Sequence, residues 1–231
     1  MTDIGRMLKN EKPEHPYVPY SYAGSMFNNF ATRFCSGCGY GIIAQLFTRI
    51  FEDDHLDPKL FPTVIGIGCY SQMLLLIHFK SQKILALHGR APAVATGIKM
   101  ANPKMKPIIF SRDGDSLGIG GNHFIHLCRR NLDCVMLIFN NSIYAMTGGQ
   151  GAPTTLYGAQ STTTPYKMFE NRSDGVKLAI AAGATYVART TVAHPRTFMK
   201  YFRKALEHKG TSVIEIMSTK SSYFGRKNLD S

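Results

Sequence analysis

The 231-residue sequence lacks tryptophan, has only five cysteines, and contains no apolar run near the length of a membrane span. Such a span needs about 20 apolar residues, and the longest candidate run ends at His78. Residues 1–20 are polar, charged and proline-bearing, which is not the pattern of a signal peptide. We therefore expect a cytoplasmic chain with no membrane partner and no disulfide framework. Cys128 and Cys134 are expected to be inert packing residues in the protein interior.

Acidic residues are also scarce, with 15 against 27 basic residues and a formal net charge of +12. A charge of this sign suits nucleic acid, acidic proteins or phosphate-bearing ligands. The basic residues are spread along the chain and do not alternate with aromatic residues in one stripe. We therefore expect no nucleic-acid partner and interpret the charge as suited to a phosphate-bearing ligand or an acidic protein.

The order of apolar segments predicts the fold. Residues 1–30 are predicted to form an extended N-terminal arm, because three prolines stand among tyrosines without an apolar period. Residues 31–231 are predicted to form one α/β domain with a doubly wound, mostly parallel sheet, because short apolar strands alternate with helices. The predicted strands are Thr63–Ile67, Pro107–Phe110, Cys134–Phe139, Ala184–Ala188 and Ser212–Met217. The predicted helices are Ile42–Phe51, Ala91–Ala101, Ser116–Arg130, Asp174–Ala182 and Pro195–Lys209.

The most informative motif is Asp113-Gly114-Asp115, which is followed by Asn140-Asn141 at the end of the next apolar strand. Parallel strands deliver both motifs to the same edge of the sheet. A carboxylate, an amide oxygen and a backbone carbonyl are ligands that suit Mg²⁺ bound to diphosphate oxygens. The glycine allows backbone amides to approach an anion closely. A helix beginning near Ser116 is expected to direct its positive dipole end at the diphosphate.

This arrangement is similar to the thiamine diphosphate (ThDP) motif, and further segments resemble the β subunit of 2-oxoacid:ferredoxin oxidoreductases. The resemblance runs from about Arg33 to Asn228. The segments that carry it are Phe34-Cys-Ser-Gly-Cys-Gly, Ile65-Gly-Ile-Gly-Cys69, His88-Gly-Arg-Ala, the stretch from Asp113 to His126, Arg129-Arg-Asn, Asn140-Asn-Ser-Ile-Tyr, Met146-Thr-Gly-Gly-Gln, Pro153-Thr-Thr and Phe224-Gly-Arg-Lys-Asn.

The resemblance implies a ThDP-binding fold and a set of cofactor-binding residues: His88, Asp113, Gly114, Asp115, Asn141 and Ile143. Within this set, the side chains of Asp113 and Asn141 and the backbone carbonyl of Ile143 match the Mg²⁺ ligands of the family. The resemblance also implies that the glutamate acting on the ThDP aminopyrimidine belongs to an α subunit. We therefore expect no catalytic residue in this chain alone and an active site shared between two subunits.

The cysteines depart from the family pattern. Cys35, Cys38 and Cys69 match three of the four ligands of a [4Fe–4S] cluster, but the fourth position is Lys220. A lysine ammonium cannot replace a thiolate ligand. Three interpretations remain open: an iron–sulfur cluster held by three cysteines with an external ligand or in a three-iron form, no cluster at all, or a zinc half-site at Cys35 and Cys38. We favour a bound cluster.

Three other positions concern the substrate and the diphosphate. Arg112 stands where the family commonly has glycine, so its side chain either touches the diphosphate or merely replaces a turn glycine. Gln72 lies where related subunits often carry a basic residue that meets the substrate carboxylate, and the residues around it are neutral. Met146 either lies near the substrate or fills the core.

The resemblance implies ThDP-dependent oxidative decarboxylation of a 2-oxoacid with coenzyme A to give acyl-CoA, CO₂ and reduced ferredoxin. The first choice of substrate is 2-oxoglutarate, because the His-Gly-Arg-Ala and Asn-His-Phe-Ile-His stretches resemble that branch most. Branched-chain 2-oxoacids or pyruvate are the alternatives. The expected partners are an α subunit, with γ and δ subunits as further candidates, and ferredoxin. A non-catalytic scaffold subunit and a nonredox ThDP decarboxylase are the competing hypotheses.

Overall fold

The computed structural model describes residues 34–35, 37–77, 81–218 and 220–229. The predicted arm over residues 1–30 lies outside the described residues, and a single domain over 31–231 stays a prediction. In the described part, no helix is long and apolar enough to cross a membrane.

Six parallel strands form the main sheet of the described chain: β1 (Thr63–Ile65), β2 (Lys83–Leu85), β3 (Ile108–Arg112), β4 (Cys134–Asn140), β7 (Tyr186–Thr191) and β8 (Thr211–Met217). Their order in the sheet is β2-β1-β3-β4-β8-β7. The two short strands β5 (Ile143–Tyr144) and β6 (Gln150–Gly151) pair antiparallel outside this sheet. The chain order reverses between β1 and β3, and such a reversal is where doubly wound sheets bind ligands at the carboxyl ends of their strands.

Helices cover both faces of the sheet, as predicted for a doubly wound fold. They are α1 (Tyr40–Asp53), α2 (Ala91–Ala101), α3 (Gly121–Arg130), α4 (Gly175–Ala181), α5 (Pro195–Glu207) and the short α6 (Arg226–Asn228). Because successive strand residues point to opposite faces, Phe110 packs in an aromatic core with α1 and α5, whereas Ile109 packs with α2, α3 and α4. The α/β prediction is therefore confirmed.

The predicted helix Ser116–Arg130 is wrong at its beginning. Residues Gly114–Ile119 form a π-helical turn, and the α-helix begins only at Gly121. The amide of Gly120 donates to the carbonyl of Asp115 at 3.0 Å, which widens the turn. A Cβ at Gly120 would overlap this carbonyl, so the glycines of this stretch permit a backbone path that the apolar pattern does not reveal. No α-helix therefore begins near Ser116.

Smaller differences concern the ends of strands. Strand β2 is not predicted at all, because it has three residues and an exposed edge position that leave no apolar period. Strand β3 continues two residues beyond the predicted Phe110 to Arg112, which brings Asp113 directly after the last paired residue. Cys128 and Cys134 are buried as expected, and burial raises the pKa of each thiol to about 12.

Candidate functional site

Asp115 is the centre of a buried hydrogen-bond network at the carboxyl edge of the sheet. The residue is 1% exposed. Its carboxylate accepts from Ser111 Oγ at 2.6 Å, from Tyr70 Oη at 2.8 Å and from the Gly89 amide at 2.7 Å. These donors come from β3, from the 3₁₀-helix after β1 and from the loop before α2. Asp115 therefore joins the three segments that surround the predicted diphosphate turn.

His88 belongs to the same network. Its Nδ1 lies 2.5 Å from Asp115 Oδ1, and its side chain keeps 35% of its surface exposed. Because Nδ1 is held by Asp115, Nε2 is the ring nitrogen that can meet a ligand at this edge. Sequence reasoning placed both residues at the cofactor, and the structure brings them into direct contact.

Gly66, the residue after β1, shows how tightly this network is built. A Cβ at position 66 would overlap the Asp115 carboxylate and lie 2.6 Å from Tyr70 Oη. We expect Gly66→Ala to lower the free energy of unfolding by about 1–3 kcal/mol, as overpacking of a filled interior does. Gly97→Ala is the matched control, because a Cβ at Gly97 meets nothing within 4 Å. Chemical denaturation of both variants checks this prediction, and equal stability of the two would contradict it.

Asp113 lies beside this network and is fully buried. Its Oδ2 accepts from Thr154 Oγ1 at 2.5 Å, and its Oδ1 lies 3.4 Å from Arg112 Nε. The Arg112 guanidinium also donates to the backbone carbonyl of Ile143. Arg112 thus contacts two of the three groups predicted to hold Mg²⁺. The sequence did not predict these contacts.

The two consecutive asparagines after β4 differ in their contacts. Asn140 donates to Glu215 Oε1 at 2.7 Å, and Glu215 Oε2 accepts from Arg189 Nε at 2.6 Å. The Asn141 side chain is buried, yet neither its Oδ1 nor its Nδ2 has a hydrogen-bond partner. A buried amide without partners calls for an explanation such as an ion. The donor chemistry of Asp113, Asn141 and the Ile143 carbonyl therefore fits the oxygen ligands that Mg²⁺ prefers. Asn141 has no hydrogen-bond partner on its side-chain oxygen, whereas the Asn140 side chain is paired with Glu215.

Glycine is required at position 114 because the Tyr144 side chain lies close to the backbone there. The Tyr144 hydroxyl donates to the Gly114 carbonyl at 3.0 Å, and a Cβ at position 114 would overlap the Tyr144 ring. Tyr144 belongs to β5, so the short hairpin closes over the Asp113-Gly114 turn. Neither Tyr144 nor Thr154 was singled out from the sequence, although both lie within motifs that carried the resemblance.

The three predicted cluster cysteines are half-buried and lie on two segments. Cys35 and Cys38 precede α1, and Cys69 begins the 3₁₀-helix Cys69–Leu75. Lys220 is buried and donates from Nζ to Cys35 Sγ at 2.9 Å. Hydrogen bonds from the side chains of Lys220 and Ser222 lower the pKa of Cys35, whereas burial raises the pKa of Cys38. Cys38 and Cys69 both pack against the aromatic core beside α1 and α5.

A cluster with four protein thiolates does not fit these positions. In the described part of the chain, no group of three or more His, Cys, Asp or Glu residues has a geometry that could hold a metal ion. The fourth position carries an ammonium group, which donates a hydrogen bond and cannot ligate iron.

Comparison with known proteins identifies the family. Residues 66–216 match the thiamine pyrophosphate enzyme family, C-terminal TPP binding domain, TPP being another abbreviation for ThDP. The 2-oxoglutarate synthase subunit KorB of Methanocaldococcus jannaschii is 47% identical over 85% of this chain and 72% of its own length. The KorB subunit of Archaeoglobus fulgidus is 46% identical over 81% of this chain and 69% of its own length. This chain is a β subunit of the 2-oxoacid:ferredoxin oxidoreductase family.

A solved structure agrees with this assignment. The 2-oxoglutarate:ferredoxin oxidoreductase from Magnetococcus marinus, with 2-oxoglutarate, coenzyme A and succinyl-CoA bound, superposes with a TM-score of 0.82 and 31% sequence identity. The match covers 91% of this chain and 70% of that chain. As a β subunit of this family, the chain is one component of a hetero-oligomeric oxidoreductase.

The two predicted substrate residues of this β subunit lie at different depths. Gln72 is half-buried on the 3₁₀-helix Cys69–Leu75, close in sequence to the Tyr70 that contacts Asp115. Met146 is 49% exposed in the turn between β5 and β6. The core-filling interpretation of Met146 is therefore wrong, because half of its side chain faces solvent in this chain.

Proposed function

We propose that this β subunit binds ThDP and Mg²⁺ at the carboxyl edge of its sheet and acts on 2-oxoglutarate together with an α subunit. The reaction converts 2-oxoglutarate and coenzyme A to succinyl-CoA and CO₂ and passes two electrons, one at a time, to ferredoxin. When bound, ThDP supplies the carbanion chemistry that removes the 2-oxoacid carboxylate as CO₂. The single observation that carries the proposal is the buried, unpartnered Asn141 amide, which follows the strand that pairs with the one ending before Asp113.

The chain's own residues supply binding and positioning. Asp113, Asn141 and the carbonyl of Ile143 would hold Mg²⁺ as hard oxygen ligands. Asp115 fixes the His88 ring through Nδ1, so that His88 Nε2 would be the ring nitrogen left to meet a diphosphate. Tyr144 holds the Gly114 carbonyl in place and thereby fixes the turn that would support the diphosphate. No residue of this chain is assigned a proton-transfer role, and we propose that the catalytic glutamate comes from the α subunit.

The substrate proposal is supported by the names of the relatives and by the ligands in the M. marinus structure. The neutral residues around Gln72 are the feature that argues against a dicarboxylate, because a basic side chain is a strong partner for a carboxylate. Branched-chain 2-oxoacids and pyruvate therefore remain alternatives for the test below.

The test is an anaerobic assay of the complex purified with its neighbouring subunits. We expect the highest kcat/KM with 2-oxoglutarate, compared with 2-oxoisovalerate and pyruvate, and formation of acyl-CoA coupled to ferredoxin reduction. ThDP, magnesium and iron are quantified in the same preparation. A preference for another 2-oxoacid would replace 2-oxoglutarate as the proposed substrate. ThDP without iron and without ferredoxin reduction would indicate a nonredox decarboxylase. Absence of ThDP would overturn the proposed function.

An iron–sulfur cluster on Cys35, Cys38 and Cys69 is proposed for the electron path, with its fourth iron position open or filled from outside this chain. The proposal rests on the match of these cysteines to the ligand positions of the family, because the three thiols do not form a metal-binding group among the described residues. The contact of Lys220, at the fourth family position, with Cys35 supports this proposal. Further proposed partners are γ and δ subunits and ferredoxin, whose acidic surface would suit the net charge of +12. A cytoplasmic location is proposed because reduced cysteines are needed at this site.

A further inference from the structure

Arg112 is a buried cation among the proposed metal ligands. It is 2% exposed, which is rare for an arginine unless its charge is paired. Its Nε lies 3.4 Å from Asp113 Oδ1, and its guanidinium donates to the Ile143 carbonyl. The planar, forked guanidinium is suited to contacting two acceptors at once. One side chain therefore satisfies two of the three oxygen groups that are proposed to hold Mg²⁺.

The third group is not satisfied by Arg112. Both polar atoms of the Asn141 side chain are buried and have no partner, although Arg112 contacts the neighbouring Asp113 and Ile143. Buried amide groups in native proteins nearly always have partners. The Asn141 side chain therefore lacks a partner that the guanidinium does not supply, whereas Asp113 and the Ile143 carbonyl already have one.

We infer that Arg112 is a resident cation of the cofactor site, which pairs with Asp113 and the Ile143 carbonyl without Mg²⁺ and must leave them when Mg²⁺ and ThDP bind. The inference rests on the proposed function, because it requires a metal at these oxygens. Two cations at one buried carboxylate repel each other strongly, so each weakens the binding of the other to the same oxygen atoms. The diphosphate brings negative charge that a displaced guanidinium can meet as a charge-assisted partner.

The inference has a thermodynamic consequence. Pairing with Arg112 stabilises the metal-free protein, since Asp113 would otherwise be a buried carboxylate without a countercharge. The same pairing weakens Mg²⁺ binding, because the contacts with Arg112 must be broken first. A chain with glycine at position 112 lacks both effects.

The experiment measures the Mg²⁺ concentration at which ThDP binding is half-complete, by calorimetry at fixed ThDP, in the purified complex. We expect this midpoint to fall about tenfold in Arg112→Gly and Arg112→Met, a typical size for coupling between two binding events. We also expect both variants to melt at a lower temperature than the wild type in EDTA. Addition of Mg²⁺ and ThDP should raise the melting temperature of the variants more than that of the wild type. Arg129→Met is the matched control, because Arg129 is exposed on α3, where it contacts His126, and should leave both readouts unchanged.

The outcomes separate the inference from the proposed function. If the wild type binds no ThDP in the presence of Mg²⁺, the proposed function fails. If the wild type binds ThDP, two results in the folded variants overturn the inference: an unchanged or higher Mg²⁺ midpoint, or loss of ThDP binding. Arg112 would then act as a ligand or as a spacer. If the neutral variants do not fold, Arg112→Lys is tested in their place, because an ammonium group cannot contact two acceptors in the way that the planar guanidinium does. An unchanged midpoint in that variant would overturn the inference.

Discussion

Asp113→Ala is expected to abolish ThDP binding in the presence of Mg²⁺. The substitution removes the only carboxylate among the three proposed metal ligands, and Asp113 is fully buried, so water cannot easily replace it. Loss of residues that merely support a metal ligand costs about 10–100-fold in metal affinity. We therefore expect a loss of more than about 100-fold for the ligand itself. Calorimetric titration of ThDP at saturating Mg²⁺ measures this loss.

Two further variants separate a binding defect from a folding defect. Asp113→Ala leaves the buried Arg112 without its carboxylate, so a lower melting temperature is also expected. Asp113→Asn keeps the shape of the side chain and removes the charge, and should lose binding while remaining folded. Asp54→Ala is the control, because its pair with Arg203 is exposed and contributes little. Unchanged ThDP affinity in a folded Asp113→Asn protein would reject the Mg²⁺ assignment.

Lys220→Cys is expected to change the iron content and the reduced spectrum of the complex. Lys220 Nζ lies 2.9 Å from Cys35 Sγ, so position 220 is next to one of the proposed cluster thiols. A cysteine at this position supplies the fourth thiolate that the family pattern requires. We expect the variant to retain about four iron atoms and four acid-labile sulfides per chain at this site. The wild type should retain fewer of both, or lose them faster during purification.

The measurement is an anaerobic EPR spectrum of each dithionite-reduced complex, together with iron and sulfide assays. Lys227→Cys is the matched control, because it adds a thiol at an exposed residue of α6 and should leave the spectrum unchanged. Cys35→Ser should remove the iron assigned to this chain. Iron and sulfide near zero in the wild type, in Cys35→Ser and in Lys220→Cys alike would mean that no cluster forms here. Electrons would then travel from ThDP to cofactors on another subunit.

The strand positions of the site could be predicted from the sequence. An apolar run followed by Asp113, and another followed by Asn141, predicted that both residues reach one edge of a parallel sheet, and β3 and β4 are indeed adjacent. That prediction depends only on local patterns and on the shared direction of parallel strands. The helix after Asp113 could not be predicted in the same way, because the glycines allow a π-helical turn that has no apolar signature.

The contacts that complete the site could not be predicted from the sequence, because they join residues that are distant along the chain. Lys220 and Cys35 are 185 positions apart, and Asp113 and Thr154 are 41 positions apart. The family pattern indicated that Lys220 was out of place but gave no indication that it pairs with Cys35.

The sequence by itself therefore determined the α/β class, the family and the residues at the ends of the strands, since these depend on local patterns and on motifs. Only the tertiary structure decided that Asp115 accepts hydrogen bonds from three segments and that Asn141 and not Asn140 is unpartnered. It also decided that Arg112 lies among the proposed metal ligands. The physical reason is that burial and hydrogen-bond pairing depend on which distant side chains the folded sheet brings together.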